Sequence, residues 1–202
     1  MQIILASSSV SRKKILTKFG LSFKVIPSNI DEEKTKKKIK DIPKLVKALA
    51  LEKAGEVEKI VKKKKIKDYL IIGADSLAAI KDRTGKWIYL DKPKNKNDAR
   101  KMLLTSKDRS HKFYTGLAII SSSGKREASF SQSIVFFKNF SNETLEKFLN
   151  SGIWKGRAGG YDIDENKSSL IDRYDGSYTN ILGLPVENLK EALNEFGINI
   201  ET

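Results

Sequence analysis

Short apolar runs alternate with segments of helical periodicity along this chain, and this order constrains its fold more than any other feature. The segments lie at residues 2–6, 10–19, 21–26, 42–61, 69–72, 97–106, 112–121, 133–140, 142–150, 168–172 and 186–196. Turn residues at 82–86 and 123–125 predict hairpins between neighbouring strands. Strands that alternate with helices, with some hairpins among them, predict an α/β fold with a mixed sheet flanked by helices.

The composition excludes several classes of site. The 202 residues contain no cysteine and one histidine, which excludes disulfides, thiolate metal sites, cysteine nucleophiles and zinc motifs with two histidines. No apolar stretch reaches the roughly 18 residues that a membrane span needs. The N-terminal segment also lacks the basic region of a signal peptide. We therefore expect a cytoplasmic protein with no membrane partner.

The chain is strongly basic, with 39 lysine and arginine residues against 25 aspartate and glutamate residues and a net charge of +14. Such a charge attracts nucleotides, nucleic acids and anionic lipids alike, so it does not identify a partner. Much of the excess lies in the lysine-rich stretch 31–68, which is typical of a solvated helix surface. The arginine and aromatic residues that nucleic-acid-binding surfaces add are absent from it, so we expect no nucleic-acid partner.

A serine-rich loop, residues 7–9, connects the first predicted strand to the first predicted helix. Arg12 lies in the first turn of that helix, three and four positions before Ile15 and Leu16, and therefore on its apolar face. One interpretation is an arginine at the edge of the core that extends its charge into water. The other is an anion site, because a helix N-terminus offers amides, hydroxyls and a favourable dipole.

Lys53 breaks the apolar pattern of the long predicted helix 42–61. It follows Leu49 and Ala50 by four and three positions and precedes Val57 by four. At about 100° per residue, it lies near the middle of the apolar stripe. A lysine at that angle extends to the surface, pairs with an acid or faces a cleft. The cleft and the buried ion pair both remain open at this point.

Two acidic positions lie after predicted strands. Asp75 follows an apolar run that we expect to end at Gly73 and Ala74. Ligands of open α/β sheets collect outside the carboxyl ends of strands, where a carboxylate holds a metal or acts as a base. An ordinary turn aspartate is the alternative. Glu32, within the acidic run 31–33, either adds a further carboxylate or caps the next helix.

Eight short blocks together carry a resemblance to a known family. They lie at residues 4–12 (ILASSSVSR), 30–32 (IDE), 51–54 (LEKA), 73–76 (GADS), 91–93 (DKP), 111–116 (HKFYTG), 158–161 (AGGY) and 178–185 (YTNILGLP). In this order they resemble the Maf proteins, nucleoside triphosphate pyrophosphatases that are distantly similar in fold to the inosine triphosphate pyrophosphatases. The resemblance implies a single Maf-like domain over residues 1–202, with two lobes around a cleft, and a homodimer.

The resemblance implies a role for each matching residue. Asp75 would be the catalytic carboxylate and Glu32 a second acidic group, and the two would hold a divalent cation, Mg²⁺ or Mn²⁺. Lys53 and Lys92 would be catalytic cations that bind phosphate oxygens. The positions implied to contact the substrate are Ser8, Ser9, Ser11, Arg12, Ser76 and Asp164.

The activity that the resemblance implies is metal-dependent hydrolysis of a nucleoside triphosphate to the monophosphate and pyrophosphate, a reaction that clears non-standard nucleotides. Such hydrolysis depends mostly on positioning and on neutralising charge as the bond breaks. The alternative is a non-catalytic binding protein that restrains cell division. Asp75, Lys53 and Lys92 match the family blocks, and they favour the enzyme, because an adaptor has no need for cations around a carboxylate.

Three positions at which the family branches differ give conflicting indications of the base. Ser11 replaces the arginine or tryptophan that relatives have there, and serine cannot stack on a base. Ser76 resembles the threonine of the branch that cleaves dTTP and UTP. Asp164 stands where that branch has glutamine and where the branch cleaving 7-methyl-GTP has glutamate. We therefore predict weak discrimination among bases, with dTTP and UTP not strongly preferred.

Overall fold

A computed structural model describes residues 1–163 and 169–199 of the chain. Its strands are β1 (Gln2–Leu5), β2 (Phe23–Val25), β3 (Tyr69–Lys81), β4 (Trp87–Leu90), β5 (Ser110–Ser121), β6 (Arg126–Phe137) and β7 (Ile171–Asp175). Its helices are α1 (Val10–Lys18), α2 (Glu32–Lys38), α3 (Ile42–Lys63), α4 (Lys96–Ser106), α5 (Asn142–Ser151), α6 (Tyr178–Ile181) and α7 (Val186–Asn194). Within these residues, no helix combines the length and the apolar character that a membrane crossing requires.

The strands form one mixed sheet, and helices pack against it, which confirms the predicted fold class. The order across the sheet is β2-β1-β3-β5-β6-β7, and β4 pairs with β3. β1 is parallel to both β2 and β3, whereas β4 is antiparallel to β3 and β7 is antiparallel to β6.

The chain divides into two compact units. The first unit comprises Met1–Asp75, Thr115–Ser131 and the residues from Leu182 onwards. The second unit comprises Ser76–Tyr114 and the described part of Gln132–Ile181. Strands β3, β5 and β6 contribute residues to both units.

In the first unit, the sheet is buried on both faces. Leu5 of β1 and Ile72 of β3 belong to the apolar cluster with α1 and α7, whereas the neighbouring Ile4 and Ile71 belong to the cluster with α3. This alternation follows from the two-residue period of a strand. Because both faces are apolar, the strands have nearly continuous apolar sequences, and the sequence pattern identified them for that reason.

Two glycines allow α3 to lie unusually close to the sheet. A Cβ atom added to Gly73 of β3 would lie 2.3 Å from the carbonyl oxygen of Ala50, and one added to Gly116 of β5 would lie 2.1 Å from that of Val46. Both distances are far shorter than a van der Waals contact, so no larger residue fits at either position without a displacement of the helix. The absence of these two side chains therefore sets the distance between helix and sheet.

Strand β3 and helix α2 differ from the sequence-based expectation. β3 continues through Gly73 and Ala74 to Lys81, so Asp75 lies within a strand and not after its end. The prediction of a strand end there was wrong, because Gly73 allows the approach of a helix and does not form a turn. α2 was not predicted as a separate element, since it contains no apolar residue that could show a helical period.

The second unit contains the hairpin and the helix cap that the sequence predicts. Lys81 pairs with Trp87 across the turn 82–86, and Ser141 caps α5 by accepting a hydrogen bond from the amide of Thr144. A strand was predicted at 168–172. Ser168 lies outside the described residues, and β7 begins at Ile171.

Candidate active site

Lys53 lies between two carboxylates in the first unit. Its Nζ atom is 2.5 Å from Oδ1 of Asp75 and 2.7 Å from Oε1 of Glu32. The exposed fraction of the side chain is 13% for Lys53, 8% for Asp75 and 38% for Glu32. Lys53 was expected either to face a cleft or to form a buried ion pair, and the contacts of its side chain are those of an ion pair. Its partners are the two acids that the family resemblance singles out.

The residue spacing of helix α3 and that of strand β3 together place Lys53 over Asp75. Ala50 and Lys53 are three residues apart on α3 and therefore lie on one face of the helix. Gly73 and Asp75 are two residues apart on β3 and therefore lie on one face of the strand. Because Gly73 lets the backbone of Ala50 approach, the next helical turn brings the ammonium group of Lys53 into contact with the carboxylate of Asp75.

Arg12 is buried at the start of α1, with an exposed fraction of 9%. Its Nε atom donates to the carbonyl oxygen of Gly183 at 2.7 Å, and its Nη1 atom donates to Oγ of Ser7 at 3.0 Å. Burial lowers the pKa of the guanidinium below its ordinary value, while the negative charges of Asp75 and Glu32 act in the opposite direction. The side chain is thus held by protein groups within electrostatic reach of both acids.

The serine positions of the first unit surround the start of α1. Ser9 is the N-cap, and its hydroxyl accepts a hydrogen bond from the amide of Arg12 at 3.4 Å. Ser8 is exposed, and Ser11 is half-buried on the helix. A helix N-terminus with hydroxyl groups and a nearby guanidinium is suited to binding an anion.

The remaining predicted positions belong to the second unit or lie outside the described residues. Lys92 and Ser76 belong to the second unit, where Lys92 is exposed and Ser76 is half-buried. Asp164 lies outside the described residues. The structure therefore brings together Arg12, Glu32, Lys53 and Asp75, and the roles of Lys92, Ser76 and Asp164 stay predictions.

The family resemblance predicts that Glu32 and Asp75 hold a divalent cation, and that role stays a prediction. Both carboxylates contact the same nitrogen atom, Nζ of Lys53, so one positive charge already lies between them. Residues 1–163 and 169–199 contain no group of three or more histidine, aspartate or glutamate side chains placed to hold a metal. Two carboxylates suit Mg²⁺, which keeps several waters and shares its remaining positions with substrate phosphates.

Sequence reasoning missed three residues around this site. The Gly183 carbonyl that holds Arg12 carries no signature in the sequence, because any residue type has a carbonyl group. Thr35 and Glu52 form a hydrogen bond between α2 and α3. Thr35 is the one uncharged residue among the seven of α2, and this exception could have indicated its contact with α3.

Comparison with known proteins identifies the family. Residues 2–196 match the Maf-like protein family. This chain belongs to the Maf-like family. It is 35% identical over 199 residues to a dTTP/UTP pyrophosphatase of Desulforamulus reducens, with 98% of each chain covered. It is 32% identical over 202 residues to a dTTP/UTP pyrophosphatase of Thermoanaerobacter sp., with 99% of this chain and 100% of the relative covered.

These relatives confirm the predicted family and the predicted enzyme class, a pyrophosphatase of nucleotide metabolism. Among solved structures, a nucleoside-triphosphatase / dITP/XTP pyrophosphatase of Mycobacterium abscessus is similar at a TM-score of 0.38 and 14% identity. That match covers 69% of this chain and 74% of the other.

Proposed function

We propose that this Maf-like protein hydrolyses a nucleoside triphosphate to the nucleoside monophosphate and pyrophosphate. The observation that carries the proposal is the contact of Lys53 with both Glu32 and Asp75, with the buried Arg12 within electrostatic reach. The names of the relatives, dTTP/UTP pyrophosphatases, support the same reaction. A cluster of fixed cations and carboxylates suits a reaction in which negative charge shifts between phosphate oxygens.

The cations of the cluster bind the phosphates. Arg12 and the hydroxyls of Ser8 and Ser9 lie at the N-terminal end of α1, where the helix dipole favours an anion. An ammonium group has three N–H donors, and among the described residues Glu32 and Asp75 accept two of those of Lys53. The third can donate to a phosphate oxygen. Lys92 of the second unit is proposed as a further phosphate ligand.

Asp75 supplies the base. Its carboxylate is almost fully buried and is fixed by Lys53, so it holds a constant orientation toward a bound phosphate. A fixed carboxylate accepts a proton from the attacking water, a contribution of roughly 10²–10⁴ in rate for general bases. Glu32 supplies a second oxygen donor on the other side of the ammonium group.

Glu32 and Asp75 are also the proposed ligands of a divalent cation. These carboxylates would hold Mg²⁺ or Mn²⁺, which would supply charge neutralisation and polarisation of a phosphoryl oxygen. Lys53 holds both carboxylates in place for that purpose. The clearing of non-standard nucleotides and a homodimer are proposed on the basis of the family resemblance. A cytoplasmic location is proposed on the basis of the sequence composition.

The enzyme is proposed to discriminate only weakly among the bases of its nucleotide substrates. The relatives are named for dTTP and UTP, so both nucleotides belong in any substrate panel. Ser11 and Ser76 are small side chains, and Asp164 offers only acceptors when ionised. The prediction that dTTP and UTP are not strongly preferred is tested by kcat/KM for these nucleotides, the other common triphosphates and 7-methyl-GTP, repeated with Asp164→Gln.

The test of the reaction measures pyrophosphate and orthophosphate separately, with Mg²⁺, with Mn²⁺ and with a chelator. We expect pyrophosphate from at least one triphosphate and no turnover with the chelator. Asp75→Asn should lower kcat by roughly 10²–10⁴-fold while the protein stays folded. Asp172→Asn, an exposed position on β7, is the matched control. Orthophosphate with a diphosphate as products would refute the proposed bond cleavage, and no turnover on the whole panel would favour a non-catalytic role.

A further inference from the structure

Helix α2 has no apolar side chain with which to pack. Its seven residues, Glu32–Lys38, are two glutamates, four lysines and Thr35. Thr35 is the one buried residue of the helix, with an exposed fraction of 7%. A helix of this length is not stable in isolation. Its position therefore depends on polar contacts and on the half-buried residues Ile30 and Ile39 that flank it.

Polar contacts connect the segment 28–35 to one stretch of α3. The hydroxyl of Thr35 lies 2.8 and 2.9 Å from the two carboxylate oxygens of Glu52 and donates to them. The amide of Asn29 donates to Oε2 of Glu56 at 2.7 Å, and the hydroxyl of Ser28 donates to the same oxygen. Glu52 and Glu56 lie one helical turn apart on α3.

Lys53 lies between Glu52 and Glu56 in the sequence of α3, and Glu32 of α2 contacts it. Glu32 and Thr35 are three residues apart, so they lie on the same face of α2. Glu52 and Lys53 are neighbours in the sequence. The hydrogen bond from Thr35 to Glu52 is thus one turn of α2 away from the ion pair of Glu32 with Lys53.

We propose that Thr35 and Glu52 are positioning residues, which hold α2 against α3 so that the carboxylate of Glu32 meets Lys53. Neither residue touches the reacting groups. The catalytic consequence of this positioning rests on the proposed function, whereas the positioning itself is a property of the two helices.

A second cation near Glu32 explains why this anchor matters. Nζ of Lys36 lies 3.9 Å from Oε2 of Glu32 and 3.3 Å from Oε1 of Glu33, and all three residues belong to α2. If α2 moves away from α3, the pair with Lys36 moves with it, whereas the pair with Lys53 is lost. The hydrogen bond between Thr35 and Glu52 therefore favours the cation of the active site over the cation of α2.

Four variants separate this role from folding. Thr35→Val keeps the shape of the side chain and removes its hydroxyl, and Glu52→Ala removes the acceptor from an exposed position. Thr35→Ser keeps the hydroxyl and serves as the rescue. Thr105→Val is the matched control, because the Thr105 hydroxyl donates to the carbonyl of Lys101 at 2.8 Å within α4.

Three measurements apply to each variant: hydrogen exchange of the amides of residues 28–38, the dissociation constant of Mn²⁺, and kcat and KM separately. Thr35→Val and Glu52→Ala should each speed exchange in that segment, weaken Mn²⁺ binding about 10-fold and lower kcat about 10-fold, with KM changed by less than about twofold. The double variant Thr35→Val/Glu52→Ala should lose no more Mn²⁺ affinity and no more kcat than either single variant, because each substitution removes the same hydrogen bond. Thr35→Ser and Thr105→Val should behave as the unchanged protein.

Faster exchange in 28–38 without a change in Mn²⁺ affinity overturns the proposal, because the anchor then has no effect on Glu32. Loss of protection throughout α3 also overturns it, since Thr35 then supports folding. Failure of the unchanged protein to bind Mn²⁺ would instead refute the proposed metal ligands, and hydrogen exchange in 28–38 together with kcat would then decide whether Thr35 positions Glu32. If the unchanged protein binds Mn²⁺ but hydrolyses no triphosphate, the proposed function fails, while exchange and Mn²⁺ affinity still decide whether Thr35 positions Glu32.

Discussion

Helices α3 and α2 supply the two ends of one ion pair but are held in the protein by different means. α3 contributes Lys53 and is fixed by apolar contacts with the sheet, among them those of Val57 and Val61, and by the close approach at Gly73. α2 contributes Glu32 and is anchored by hydrogen bonds and charges. Close packing resists small displacements, whereas individual hydrogen bonds are worth only about 0.5–3 kcal/mol each.

The site therefore has a rigid side, formed by α3 and β3, and an adjustable side, formed by α2. The segments of α3 and β3 that carry Lys53 and Asp75 are held together by apolar packing and by the close approach at Gly73. Glu32 has an exposed fraction of 38% and depends on an anchor at the surface of α3. We expect substitutions that disturb the ion pair of Lys53 with Asp75 or the close approach of α3 to the sheet to change stability and activity together. We expect substitutions that remove the hydrogen bond between α2 and α3 to change activity more than stability.

The largest effect is expected from Lys53→Ala. It removes the cation between two carboxylates, so kcat should fall by roughly 10²-fold or more, as for other charge-stabilising groups. It also leaves the buried Asp75 without its partner, which should lower the free energy of unfolding by about 3 kcal/mol. Urea denaturation and steady-state kinetics measure the two effects.

The double variant Lys53→Ala/Asp75→Asn is the control for that interpretation. It removes the buried negative charge as well, so it should recover much of the stability while remaining inactive. An unchanged free energy of unfolding in Lys53→Ala would show that Asp75 is solvated well enough to need no partner.

An intermediate effect is expected from the glycines under α3. Gly73→Ala and Gly116→Ala both place a Cβ within 2.3 Å of a helix carbonyl oxygen, so each should lower the free energy of unfolding. The cost of such overpacking is about 1–3 kcal/mol. Only Gly73 lies on the face of β3 that carries Asp75, so we expect a larger loss of kcat from Gly73→Ala. Equal losses of kcat in the two variants would mean that the whole helix moves as one body.

The smallest effect is expected from Glu58→Gln, a polar anchor on α3 itself. Glu58 is buried and contacts Lys62, Arg126 and Tyr69. Burial acts to raise the pKa of Glu58, but the hydrogen bond from Lys62 and the charge of Arg126 outweigh it, and the pKa is lowered. The stability that the ionised form contributes is therefore present above the ordinary pKa of a glutamate and is lost as the pH falls through the lowered value.

In Glu58→Gln we expect the free energy of unfolding at neutral pH to fall by about 1.5 kcal/mol. The free energy of unfolding should also decrease less on acidification in this variant than in the unchanged protein. Turnover should not change, because the apolar contacts continue to hold α3. Denaturation at several pH values, with kcat measured beside it, provides the test. A fall in kcat comparable to that of Thr35→Val would contradict the contrast between the two helices.

The sequence predicted the rigid side of the site better than the adjustable one, for a physical reason. The angle of Lys53 within an apolar stripe is visible in the sequence because packing imposes a period on α3. Nothing comparable marks α2, whose contacts join residues such as Thr35 and Glu52, 17 positions apart, with no pattern between them. Asp75 was singled out, but its place within β3 was missed because Gly73 resembles a turn residue.

The site depends on the residue spacing of both α3 and β3, and this dependence limits where insertions and deletions are tolerated. One residue inserted between Gly73 and Asp75 would turn the carboxylate to the opposite face of the sheet. One residue inserted between Ala50 and Lys53 would rotate the lysine by about 100° around the helix axis. The connection between α3 and β3 has no such restriction, because added length there leaves both spacings intact. Insertions and deletions among natural variants should therefore avoid residues 50–53 and 73–75 and accumulate at residues 64–68.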